Sequence, residues 1–343
     1  MTLIPPRSDV IVIGAGPAGL AASIVSAEAG LRTLLLERRN NPRIVATESL
    51  HPGCESLIDR LGVGPAFRDA GFTRFPGIRV LGKMQPFGAD ERGPWLGFHI
   101  ARDRFERLLE AHATSIGVVV RRGTPVRELW QEAGRVAGVH LDNHSVASRW
   151  VIDASGRQHR SERWLALRRL QHSAPLVAFR GEVTGTLPDE DCAARFDLHG
   201  SGWLWTAQVG PETSTWTILG PRGRWRPTPP TELAALSPLF PRSGVDVTWR
   251  VMRPLAKPGC LVVGDAAAVL DPASGQGVFF ALHSGMTAAR VIFECINQPQ
   301  LEALHLALYD DWGMREFQHK VDGLRELYAS MKIIVATPNG REP

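Results

Sequence analysis

From Asp9 to Glu37 the chain runs through a buried strand, a glycine turn, an alanine-rich helix, a second apolar strand and an acid, in that order. Asp9-Val10-Ile11-Val12-Ile13 reads as the first strand, and Gly14-Ala15-Gly16-Pro17-Ala18-Gly19 opens a helix that continues to Ala29. Leu31 to Leu36 reads as the second strand and delivers Glu37 at its end. Each part has a task in holding a dinucleotide. Gly14 permits the tight turn, Gly16 lets the backbone approach a pyrophosphate, and Gly19 lets the helix lie against the strand. Pro17 and Ala18 complete a helix start that offers unpaired N–H groups and about half a positive charge to phosphates. Glu37 is placed to accept hydrogen bonds from a ribose diol, and its charge disfavours a 2′-phosphate there. That repulsion favours FAD or NAD over NADP, although the adjacent Arg38 and Arg39 blunt it.

The 343 residues suffice for a large core and two intimately joined domains. A net charge of +4 suits an anionic cofactor and is too small to indicate nucleic acid as a partner. The densest basic run, Arg157 to Arg169, reads as a solvated helix face. The four cysteines, Cys54, Cys192, Cys260 and Cys295, are far apart in sequence. They show neither metal-ligand spacing nor a redox pair, so no metal is expected and a reduced, cytoplasmic setting fits. Met1 to Ser8 does not resemble a signal peptide, and no apolar run is expected to span a bilayer. Ten tryptophans stand against two tyrosines, four of the tryptophans between Trp203 and Trp225. Trp203 and Trp205, two apart on a strand, face the same side. They serve either a core or an aromatic-walled pocket.

Pro42 to Gly53 reads as irregular, Glu55 to Leu61 as a short helix, and residues 72–98 as Gly- and Pro-rich with one strand, Gly77 to Leu81. Arg102 to Ala113 has helical spacing, and Val118 to Val120 reads as a parallel strand. A meander follows at Val126 to Trp130, Val136 to Leu141 and Ser145 to Ile152, ending on Asp153-Ala154-Ser155-Gly156. Residues 175–221 alternate apolar and polar, as antiparallel strands do. A Pro-rich connection, Pro227 to Pro230, leads into a short helix, and Val245 to Arg253 reads as one strand. Leu261-Val262-Val263 is a buried strand that ends on Gly264-Asp265, before a long helix from about Gly275 to Ile296. Residues 301–329 read as one or two further helices.

The run from Gly264 to Gly277 is the second strong signal. Asp265 stands at the C-terminal end of a buried strand, where open α/β sheets gather ligands. Its carboxylate suits ribitol hydroxyls. Pro272, Gly275, Gln276 and Gly277 then bring backbone N–H groups and a helix start to the place where a reduced flavin carries negative charge.

Taken together, Gly14–Gly19 with Glu37, Arg102 three residues before Phe105, Asp153-Ala154-Ser155-Gly156, and Gly264–Gly277 resemble the four FAD-contact motifs of the glutathione-reductase-type flavoproteins. More narrowly, the chain resembles the branch that holds aromatic-hydroxylating flavoprotein monooxygenases, tryptophan halogenases and geranylgeranyl-reductase-like enzymes. The resemblance implies an α/β fold in which a glutathione-reductase-type Rossmann FAD-binding domain is interrupted by an antiparallel β-sheet substrate domain, as in para-hydroxybenzoate hydroxylase. Residues 1–75, 98–160 and 255–300 would form the FAD-binding domain, 76–97 and 161–254 the substrate domain, and 301–343 a C-terminal helical segment. By the same analogy Arg102 contacts the FAD pyrophosphate or ribitol, Asp265 contacts the ribitol, Asp153 and Gly264 belong to their motifs, and the turn after Pro272 packs on the isoalloxazine.

Glu48-Ser49-Leu50-His51-Pro52-Gly53 is similar to a segment near the flavin in halogenase-like members. It is similar also to flavoproteins that accompany oxidases with tryptophan-derived quinone cofactors. Gly202-Trp203-Leu204-Trp205 matches the first half of the tryptophan-halogenase signature, but Thr206-Ala207-Gln208 stands where an Ile-Pro pair is expected. Halogenases use a lysine to capture hypohalous acid, and Lys83 lies in a comparable region.

The resemblance therefore implies an FAD-dependent monooxygenase acting on an electron-rich aromatic substrate through a flavin C4a-hydroperoxide, which a dry pocket protects. The substrate is an aromatic small molecule or a tryptophan within a protein. His51 and His99 are the candidate side chains for positioning or deprotonating it, and His51 and Lys83 are the candidate catalytic residues. The alternatives are a geranylgeranyl-reductase-type enzyme, a halogenase, and an FAD-binding maturation partner without turnover. No second glycine fingerprint marks a nicotinamide domain, so the electrons come from NAD(P)H or from a partner flavin reductase.

Overall fold

A computed structural model describes residues 7–41, 47–187, 192–223, 233, 236–239 and 243–335. Its first large sheet is built on the strand Arg7–Ile13, whose apolar residues are buried on both faces. This strand pairs in parallel with Thr33–Leu36 on one side and Ser145–Asp153 on the other. Ser145–Asp153 pairs in turn with Cys260–Val262, also in parallel. The registers set Ile13 beside Leu36 and Asp153, and Asp153 beside Val262. Four strands distant in sequence thus end at one edge, and the turns that follow them emerge together. The meander Glu128–Glu132, Arg135–His140 and Ser145–Asp153 extends the sheet in antiparallel fashion.

The helix Pro17–Glu28 packs closely on the long helix Gly277–Asn297. A Cβ at Gly285 would lie 2.2 Å from the Ala18 carbonyl oxygen, so only glycine permits this approach. The long helix reaches the length and apolarity of a bilayer span by composition alone, with a mean hydropathy of 1.2. Its scattered polar residues break any continuous apolar run, and 56% of its apolar window is buried inside the protein.

A second large sheet is antiparallel apart from one parallel pairing. Leu176–Thr184, Thr213–Pro221, Gly202–Gly210 and Ala194–His199 follow one another across it, and Gly77–Val80 and Lys83–Pro86 extend its far edge.

Several local expectations change. Val245 to Arg253 is two strands, Ser243–Asp246 and Arg250–Arg253, in different sheets. Asp246 breaks the run by accepting the Thr248 N–H at 2.9 Å and the Arg250 guanidinium at 2.8 Å, a local turn that competes with the ladder. The irregular stretch before Gly53 holds the strand Glu48–Leu50. It pairs with Gly97–Ile100, which also pairs with Thr73–Phe75. These short strands lie among Gly and Pro, where periodicity gives no signal. Arg157 to Arg169 is no continuous helix face: it comprises a 3-10 turn, the short helix Arg160–Trp164 and the start of strand Arg168–Gln171. Of the one or two helices expected over 301–329, the structure has one, Glu302–Ser330, and Leu301 ends the 3-10 turn before it. The connection Pro227 to Pro230 lies outside the described residues.

Candidate active site

The converging turns open onto a cavity of about 800 Å³. One part is lined by backbone and charge: Gly14, Gly16, Glu37, Arg38, Arg102, Ser155, Asp265 and the turn from Pro272 to Gly277. The other is lined mainly by apolar side chains, among them Phe75, Phe87, Phe196, Trp203, Trp205 and Val247.

Local geometry explains the first part. Gly14 has φ +106°, and a Cβ there would lie 2.5 Å from the Ala154 carbonyl oxygen. The first glycine turn and the Asp153–Gly156 turn are therefore packed backbone to backbone. A Cβ on Gly19 would fall 1.9 Å from the Gly14 oxygen, which explains its role in helix packing. A Cβ on Gly16, by contrast, would meet no atom within 4 Å: that backbone is open toward the cavity. Glu37 accepts the Ala15 N–H and the Arg39 N–H, each at 2.9 Å, and is thereby fixed at the cavity wall. Ser155 lines the cavity with a buried hydroxyl that has no partner among the described residues. Such an orphan costs free energy unless a ligand satisfies it. Open glycine backbone, an anchored carboxylate, a helix start and an orphan hydroxyl fit a dinucleotide cofactor with its pyrophosphate at the glycine turn.

Arg102 is clasped by two carboxylates, Glu48 at 2.5 Å and Glu106 at 2.7 Å, with Arg180 of the second sheet 3.7 Å from Glu48. Burial opposes ionisation of Glu48, yet Arg102 and Arg180 hold its carboxyl below the ordinary range. For Glu106, burial prevails over Arg102 and the pKa rises. Asp265 lines the cavity and receives the Arg157 Nε–H at 2.8 Å.

Other predicted residues lie outside the cavity lining. Pro17, Ala18, Gly19 and Gly264 shape the turns from behind. Asp153 is wholly buried, and its carboxylate receives the Ser155 N–H at 2.8 Å and the Ser161 hydroxyl. It braces the motif turn and is not among the lining residues. Lys83 is exposed at the start of strand Lys83–Pro86 and is not among the lining residues, contrary to the catalytic expectation. Lys83→Ala is expected to leave both flavin absorbance and thermal stability unchanged, which spectroscopy and thermal melts check.

His51 does line the cavity. Its Nδ1 accepts the Gly53 N–H at 3.1 Å, and burial lowers its pKa, so the ring is neutral with its proton on Nε2. His99 lies behind the wall. It stacks on Phe75 at 4.1 Å, and its Nδ1 is 2.6 Å from the hydroxyl of Ser49, which with Glu48 lines the cavity. Burial pushes the His99 pKa down from 6.5 to about 4. The unfolded chain therefore takes up a proton where the folded chain does not. The His99 contribution is full above about pH 6.5 and is lost as pH falls toward 4, a change of about 3 kcal/mol. Denaturant unfolding across this window should show the parent losing more stability on acidification than His99→Gln.

Sequence reasoning missed one wall altogether. The C-terminal helix Glu302–Ser330 contributes Phe317, Lys320 and Leu327 to the cavity. Lys320 is 8% exposed, pairs with Glu316 at 2.8 Å and lies over the Phe280 ring at 5.2 Å. A buried lysine in an otherwise amphipathic terminal helix was the one available signal. Of the tryptophan cluster, Trp203 and Trp205 line the cavity, and Trp216 packs in a separate core. Trp225 lies outside the described residues.

A family model described as "FAD binding domain" matches residues 7–191. Among curated proteins, a 1H-pyrrole-2-carbonyl-[peptidyl-carrier protein] brominase of Pseudoalteromonas luteoviolacea is 27% identical, over 92% of this chain and 84% of that protein. A digeranylgeranylglycerophospholipid reductase of Thermoplasma volcanium is 27% identical, over 91% of this chain and 84% of that protein. Among solved structures, the myxobacterial chondrochloren halogenase CndH superposes with a TM-score of 0.84 at 23% identity, covering 94% of this chain and 83% of that one. That likeness shows the shared fold.

Proposed function

Since this chain belongs to the FAD binding domain family and is an FAD-dependent oxidoreductase, we propose that it is a monooxygenase that hydroxylates an electron-rich aromatic substrate. The observation that carries this reading is the aromatic chamber continuous with the cofactor cradle. Glu37 and Arg38 would hold the adenosine end of FAD. Gly14, Gly16, Ser155 and Arg102 would hold the pyrophosphate, Asp265 the ribitol, and Pro272 to Gly277 the ring. When bound, FAD supplies the electrons that activate dioxygen.

The chain's own residues do the rest. Phe75, Phe196, Trp203 and Trp205 exclude water and give a flat ring faces and edges to pack against. His51 holds a proton on Nε2 at the cavity wall, where it can donate to a substrate oxygen. A cavity of about 800 Å³ that must also hold the cofactor favours a compact substrate over a long isoprenoid. Halogenation is disfavoured because Lys83 lies outside the lining and the chamber lysine, Lys320, is committed to Glu316.

The test is turnover of the holoprotein with a panel of aromatic compounds and a tryptophan-containing peptide. Electrons come from NAD(P)H with and without a flavin reductase, under isotopically labelled dioxygen. Label in a hydroxylated product supports the reading. Halogenated product with added bromide, or anaerobic saturation of an isoprenoid double bond, replaces it with one of the alternatives.

A further inference from the structure

Tyr328 stands near the end of the C-terminal helix and is 2% exposed. Its hydroxyl accepts the Trp203 Nε1–H at 2.7 Å and donates to Asp271 Oδ2, also at 2.7 Å. The same carboxylate oxygen accepts the Trp249 Nε1–H at 2.7 Å, and Oδ1 accepts the Ala273 N–H at 2.9 Å. An indole nitrogen only donates and an ionised carboxylate only accepts, so the direction of every bond is fixed. Both ends of this chain reach the cavity: Trp203 is part of the aromatic wall, and Asp271 precedes the turn from Pro272 to Gly277.

We propose that Tyr328 is a positioning residue that, through Asp271, locks the turn assigned to the flavin ring to the tryptophan wall of the substrate chamber. The proposal rests on FAD occupying the cleft and not on the reaction being a hydroxylation. Asp271 is wholly buried: burial raises its pKa from 3.8 to about 6, and the hydrogen bonds from Tyr328, Trp249 and Ala273 oppose that rise and favour the ionised form. Removing the phenol hydroxyl takes one donor from the carboxylate, weakens its hold on the Ala273 N–H, and leaves the Trp203 N–H without an acceptor. The turn and the wall then lose their common anchor. Tyr309 on the same helix is the natural contrast. It is equally buried, but its hydroxyl donates to the Val262 carbonyl at 2.9 Å, and Val262, unlike Trp203 and Asp271, does not line the cavity.

The experiment compares Tyr328→Phe with Tyr309→Phe, using FAD itself as the probe. Both variants are expected to melt at a lower temperature than the parent. Only Tyr328→Phe should change the visible circular dichroism of bound FAD and weaken its binding, by about tenfold for one lost charge-assisted hydrogen bond. An unchanged flavin spectrum and affinity in Tyr328→Phe overturns the proposal. So does an equal change in Tyr309→Phe, which would mark general loosening of the helix. Should Tyr328→Phe not fold, Asp271→Asn reads the same link: altered flavin dichroism supports the proposal and an unaltered signal overturns it. These readouts need no substrate, so they stand apart from failure of the hydroxylation assay.

Discussion

Gly14→Ala is expected to purify colourless and to take up no FAD on incubation with excess cofactor. The backbone there sits at φ +106°, which an L side chain rarely adopts, and the added methyl would lie 2.5 Å from the Ala154 carbonyl oxygen. Relief requires both cofactor turns to move apart. Positive-φ strain alone costs about 1–3 kcal/mol, or up to about two decades in affinity, and the clash with the Ala154 backbone adds to it. Gly16→Ala sharpens the test. Its methyl would meet no protein atom within 4 Å, so its folding stability should match the parent within about 0.5 kcal/mol. It should nonetheless lose FAD, because the space it fills belongs to the ligand. Flavin absorbance after gel filtration, with thermal melts of both variants, reads the outcome. Retention of FAD by Gly16→Ala would remove the pyrophosphate from that turn.

The second large effect concerns Arg102. Replacing it with methionine leaves Glu48 and Glu106 facing each other without the cation that lies between them. Breaking a buried ion pair typically costs 3–5 kcal/mol, and the residual exposure of this cluster places the expected loss at about 3 kcal/mol. The sign with pH follows. Without Arg102 both carboxyl pKa values rise in the folded state, so the folded variant binds more protons than the unfolded chain. The deficit should therefore shrink as pH falls from neutrality through the raised values, and Glu106→Gln added to Arg102→Met should recover part of it at neutral pH. Urea unfolding of the parent and both variants at neutral and mildly acid pH measures this. A deficit independent of pH would mean that the carboxylates are already relieved by solvent or by Arg180.

Arg102 also shows how sequence and structure divide the problem. Its place in a motif was visible from its spacing to Phe105, but its two acidic partners were not. Glu106 is one helical turn away, and Glu48 comes from a short strand whose pairing with Gly97–Ile100 leaves no periodic trace. Asp153 was legible as a motif residue, yet its burial turns the carboxylate toward Ser155 and Ser161. Lys83 had a suitable position in sequence, but the hairpin formed by Gly77–Val80 and Lys83–Pro86 leaves it exposed.

By itself the sequence determined the cofactor cradle. A positive-φ glycine, a helix start and a strand-terminal acid are local devices, all encoded between Gly14 and Glu37. Only the tertiary structure decided what lines the rest of the cavity. Behind the chamber wall, Tyr328 of the C-terminal helix ties Trp203 of the second sheet to Asp271, just before the turn from Pro272 to Gly277, through buried hydrogen bonds of 2.7 Å. Such contacts depend on strand register and helix docking, because a shift of one residue turns a strand side chain to the opposite face.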